Sequence, residues 1–164
     1  MSLTTDMRQS WTGHRKVVRR HLSRGRSEPF LFTFLFAFMI LAFVSQYPRA
    51  ARIALENPEI PLLAQLLGLA YGLLIFVPIA YGLAALSHIT ARALGARSTW
   101  YGARLALFYS LVAASPLMLL QGLVAGLLGL GIQSFLVGIF ALTAFVVFWA
   151  LALVEVSKGD RDAV

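Results

Sequence analysis

The hydrophobic pattern divides the chain into one polar segment followed by long uncharged runs. Phe30 to Tyr47 contains six phenylalanines and no charge, close to the shortest stretch that crosses about 30 Å of hydrocarbon. Pro29 stands just before it, in the first turn of a helix, where a missing N–H costs nothing. A second run begins near Ile60 and continues to Leu94, with Gly95 placed as a C-cap. That is longer than a bilayer requires, so its last two turns should emerge from the membrane. Pro78 should kink it. Ser98 or Thr99 then supplies an N-cap for a helix opening at Trp100. From Leu105 to Val154 fifty residues pass without a charge. Two spans fit there with a turn at 129–134, whereas three would leave no room for turns. Pro116 is then a kink within the third span.

The predicted fold is therefore all-α: a polytopic membrane bundle of four transmembrane helices, with spans at about 30–47, 60–87, 105–128 and 133–154. The 48–61 connection should be short. Arg52 and Glu56, four apart, favour a brief surface helix there, ended by Asn57-Pro58. The residues from 155 to 164 should form a short, loose tail. Residues 1–29 make a basic segment in which Leu3, Met7, Trp11, Val18 and Leu22 share one helical stripe. Arg15 and Arg19 flank that stripe on one side and Arg20 on the other, the profile of an amphipathic helix lying on lipid. A disordered basic tail is the alternative.

Composition strengthens this reading. The chain is 59% hydrophobic and 13% charged, about half the charge of a typical soluble domain. The net charge of +7 is concentrated in residues 1–29 and at Arg92, Arg97 and Arg104, beside apolar runs where basic residues set topology. Nucleic acid is not the expected partner; membrane lipids are. The 48–61 connection is neutral and the 129–134 turn uncharged, so both termini should lie in the cytoplasm. Arginine outnumbers lysine twelve to two, a bias typical of GC-rich bacterial genomes, which makes the inner membrane the expected location. A cleavable signal peptide fits poorly, because the polar region before the first run is long and no A-x-A pattern follows.

Candidate chemistry is sparse. Without cysteine, thiolate catalysis and cysteine metal sites are excluded. No Asp, Glu, Lys or Arg falls within the four spans, which disfavours proton pumping and ion-coupled transport. No paired carboxylates or G-x-S-x-G motif indicate an enzyme, and no cofactor or metal is implied. Ser87, His88, Arg92, Tyr101 and Arg104 could line a pocket for a lipid phosphate or a partner's carboxylate. The competing reading is that the arginines snorkel and His88 bonds locally. Gly68/Gly72 and Gly122/Gly126 form two G-x-x-x-G pairs, suited to packing within the bundle or between copies. Gln65, Gln121, Ser110, Ser115 and Thr143 should hydrogen-bond between helices. The phenylalanines at 30, 32, 34, 36 and 38 should serve as packing and lipid-facing surface.

The chain resembles the small alphaproteobacterial members of the Yip family, named for Ypt/Rab-interacting proteins. The likeness rests on Val17-Val18-Arg19-Arg20, Gln46-Tyr47-Pro48-Arg49, Ala84-Ala85-Leu86-Ser87-His88, Trp100-Tyr101-Gly102-Ala103-Arg104-Leu105-Ala106-Leu107-Phe108 and Ser115-Pro116-Leu117-Met118-Leu119-Leu120-Gln121-Gly122. It implies a multi-pass membrane protein. Eukaryotic relatives act in vesicle trafficking through small GTPases, but they have long acidic N-terminal regions and typically five spans. The short basic N-terminus and four spans here depart from that pattern, and no GTPase-binding residue carries over. The expected function is non-enzymatic organisation of membrane partners or lipids, in a larger complex or a homo-oligomer. A facilitator for an uncharged small molecule or lipid is the alternative. It would need a polar path from Gln65 and Ser110 towards His88.

Overall fold

The computed structural model describes residues 27–93, 95 and 99–159. The N-terminal amphipathic helix expected before residue 27, including Trp11, Arg15, Arg19 and Arg20, lies outside the described residues. Four helices follow one another: α1 (Glu28–Glu56), α2 (Leu62–Ala93), α3 (Trp100–Leu128) and α4 (Ile132–Gly159). Each is long and apolar enough to cross a membrane, which marks a multi-pass membrane protein. At 1.5 Å per residue a helix of 29 residues is about 44 Å long, so these helices overrun the hydrocarbon core at their ends.

Local chemistry accounts for the helix boundaries. Pro29 lies in the first turn of α1, and Thr99 Oγ1 accepts a hydrogen bond from Gly102 N at 3.1 Å as the N-cap of α3. Gly95 (φ +80°) and Gly129 (φ +84°, ψ −174°) take positive-φ conformations open to glycine, and these turn the chain after α2 and α3.

Two ends differ from expectation. The separate surface helix foreseen around Arg52 is the last part of α1, which continues through Pro48 to Glu56. Arg52 Nε and Glu56 Oε1 do form the i,i+4 pair, at 2.7 Å. Proline removes only one backbone bond, and Pro48 gains packing against Gly126. At the other end, the tail foreseen as loose from 155 is helical to Gly159. Glu155 and Val156 are buried, and Val156 packs against Gly102.

The centre of the bundle is α3, which packs against all three other helices, while α4 packs chiefly on α3. The 2-residue spacing of the α1 phenylalanines turns them about 200° at each step, so alternate rings face opposite ways. Phe34 and Phe38 are buried and Phe32 and Phe36 exposed. Phe34 meets Tyr109 edge-on at 5.5 Å, and Tyr81 meets Phe108 at 5.1 Å.

Polar groups within the spans are satisfied mainly inside their own helices, contrary to the interhelical bonding expected of them. Ser110 donates to the Ala106 carbonyl and Thr143 to that of Ile139, each four residues back. Gln65 donates to the Ile60 carbonyl just before α2. Ser115 Oγ donates to the Val112 carbonyl at 2.7 Å, the acceptor that Pro116 leaves without its usual N–H. Of the five residues only Gln121 reaches another helix, donating to Ser134 Oγ on α4 at 3.4 Å.

Candidate functional site

At the end of the bundle where α1 and α3 begin and α2 ends, a recess of about 420 Å³ is lined by Glu28, His88, Arg92, Thr99, Trp100, Tyr101 and Arg104. Helix geometry explains the grouping. His88 and Arg92 are one turn apart on α2, and Trp100, Tyr101 and Arg104 occupy the first turns of α3, held in place by the Thr99 cap. The structure thus brings together His88, Arg92, Tyr101 and Arg104. Ser87 is buried beside them, but it does not line the recess and its hydroxyl donates to the Leu83 carbonyl at 2.6 Å.

The two arginines stand in different states. Arg104 is gripped by Glu28 through both of its terminal nitrogens, NH1 to Oε2 and NH2 to Oε1, each at 2.8 Å. Its Nε also donates to the Trp100 carbonyl at 3.1 Å. This two-pronged arrangement matches the planar guanidinium to the carboxylate. Arg92 is exposed on the last turn of α2, and no hydrogen bond or ion pair holds it among the described residues. His88 is buried, its ring 4.3 Å from that of Trp100, which is 53% exposed.

Glu28, Thr99 and Trp100 were not foreseen as part of the site. Glu28 is 76 positions from Arg104, and nothing in their local sequence ties them. Thr99 and Trp100 were legible as a cap and an interfacial aromatic, and that placement already sets them beside Tyr101.

The two glycine pairs have separate positions. The Cβ that alanine would add at Gly122 or Gly126 would run into the α1 backbone at Ser45 and Pro48, respectively. Gly68 and Gly72 have nothing within 4 Å of the corresponding position and lie on the open face of α2. At the opposite end, Arg52 NH1 donates to the Leu127 carbonyl at 2.9 Å, capping the C-terminus of α3 with a cation. Beside the α3–α4 turn a second groove of about 500 Å³ is mostly apolar, with Gln121 and Ser134 as its hydrogen-bonding side chains. No cluster of three or more metal-ligating side chains occurs among the described residues.

No family model, no curated protein and no solved structure matches this chain.

Proposed function

We propose that this chain is a non-enzymatic, Yip-like protein of the bacterial inner membrane, with both termini in the cytoplasm, that organises membrane partners or lipids. The observation that carries this reading is the incomplete packing of α2. Its buried residues, Ala80, Ala84, Ser87 and His88, all fall in its second half. Leu73, Phe76 and Val77 pack partly against the core, but no residue of its most hydrophobic stretch is fully buried, and Leu63, Tyr71, Leu74 and Ile75 are all more than 60% exposed. Such a surface is available to lipid or to another helix, and Gly68 and Gly72 leave room there for a close backbone approach.

Two further features favour organisation over transport or catalysis. Ser110 is fully buried and Gln65 bonds to the chain just before α2, and neither lines the two recesses described. A facilitator would need both on a path towards His88. The carboxylate in the recess, Glu28, is committed to Arg104, which weighs against acid–base chemistry there.

The test is to purify the tagged protein from its own membranes in mild detergent and identify what accompanies it by mass spectrometry. A companion in fixed ratio, whether another membrane protein or a second copy, is the expected result. Recovery of the lone chain with only bulk lipid would overturn the partner reading, and solute flux in liposomes would then be the next measurement.

A further inference from the structure

From the unequal state of the two arginines we infer that the recess binds the phosphodiester of one anionic phospholipid through Arg92. In this arrangement Glu28 keeps Arg104 from competing for the phosphate. The inference rests on the proposed membrane setting, with this end of the bundle in the headgroup layer.

Charge is the first consideration. The Glu28–Arg104 pair is internally neutral and both guanidinium termini are in use, so Arg92 brings the uncompensated positive charge on the wall. A single phosphodiester carries one negative charge and offers oxygens that a guanidinium can grip with two bonds. A lipid with a neutral but hydroxylated headgroup beyond the phosphate, as in phosphatidylglycerol, leaves that charge uncancelled. In a choline lipid the ammonium offsets it and would sit beside Arg92.

The surroundings distinguish a lipid from a free anion. Arg92 shares a stripe of α2 with Ala85, Pro78 and Leu74, spaced by seven, seven and four residues. Pro78 and Leu74 are exposed, and Ile89, beside Arg92, is 55% exposed. A headgroup in the recess would therefore continue into an uncovered apolar track for its acyl chains. The half-exposed Trp100 stands at the rim, where an indole favours the boundary between hydrocarbon and headgroups. A soluble phosphate, or a carboxylate on a water-soluble partner, would make no use of that track.

Native mass spectrometry of the full chain, with phosphatidylglycerol, phosphatidylcholine or inorganic phosphate added separately, tests this. Retention of one phosphatidylglycerol per chain is expected, at least several-fold over phosphatidylcholine, with no retained inorganic phosphate. Arg92→Gln should weaken retention by about tenfold, the loss of one charge-assisted contact, and Arg92→Lys should restore part of it. Glu28→Gln should strengthen retention several-fold by releasing Arg104. Because Arg92 is exposed at a helix end, its variants should fold, and circular dichroism checks this. Equal retention by wild type and Arg92→Gln would overturn the proposal, as would weakened retention in Glu28→Gln. Equal binding of inorganic phosphate would replace the lipid by a free anion. If Arg92→Gln lost a protein companion instead of lipid, the site would be a protein contact. Loss of lipid retention with the companion kept would separate this inference from the organising role, which would stand.

Discussion

Alanine at Gly122 provides a sharp test of how α1 and α3 are held together. The added methyl group would overlap the Ser45 carbonyl oxygen and stand 2.6 Å from its carbon, far inside van der Waals contact. Backbone cannot rotate away as a side chain can, so the helices must separate. Overpacking of this kind costs about 1–3 kcal/mol, and a backbone neighbour places it at the upper end. Alanine recovers about 1 kcal/mol of helix propensity over glycine, leaving a net loss of about 2 kcal/mol. Gly72→Ala on α2 is the matched control. The same change there meets nothing within 4 Å and should be neutral or stabilising by up to about 1 kcal/mol. Both can be measured by SDS titration of the protein in mixed micelles, followed by far-UV circular dichroism. A Gly122→Ala variant as stable as wild type would refute the close α1–α3 contact. If Gly72→Ala lost as much in dilute micelles, the idea that α2 leaves this face open within one chain would fail.

Three further contacts at the helix ends are probed by the same unfolding titration. Arg52→Ala removes the cation at the α3 C-terminus and its pair with Glu56, and should cost about 1 kcal/mol given its partial exposure; Glu56→Gln should cost less. Thr99→Ala should cost about 1 kcal/mol by leaving the Gly102 N–H without its acceptor, and Thr99→Ser should restore most of it. Gly129→Ala, at φ +84° and ψ −174°, a backbone region essentially reserved for glycine, with the Arg52 guanidinium 3.3 Å from the new methyl group, should lose about 1–3 kcal/mol, and Gly129→Asn should not recover it.

Features set by neighbouring residues were legible in the sequence, and those set by distant ones were not. Pro29, Thr99, Gly95 and the 129–134 turn act through the backbone within a few positions, and each marks a helix boundary in the structure. Pro48 misled because a proline reads locally as a break. Its place inside α1 goes with its packing against Gly126, more than seventy residues away. The two G-x-x-x-G pairs are the same pattern, and only the packing of α1 on α3 separates the tight pair from the open one. In the recess, the cluster of His88, Arg92, Tyr101 and Arg104 followed from where α2 ends and α3 begins. That Arg104 is taken by Glu28 while Arg92 is not depends on how α1 sits against α3, and no local spacing encodes it.

The absence of cysteine allows the four-span topology to be tested directly with single introduced cysteines. Asn57→Cys, Ala93→Cys and Leu130→Cys place thiols at exposed positions after α1, at the end of α2 and after α3. A membrane-impermeant maleimide applied to intact cells should label positions 57 and 130, and should reach position 93 only after the membrane is opened. Labelling of all three from the same side would contradict the four-span membrane fold.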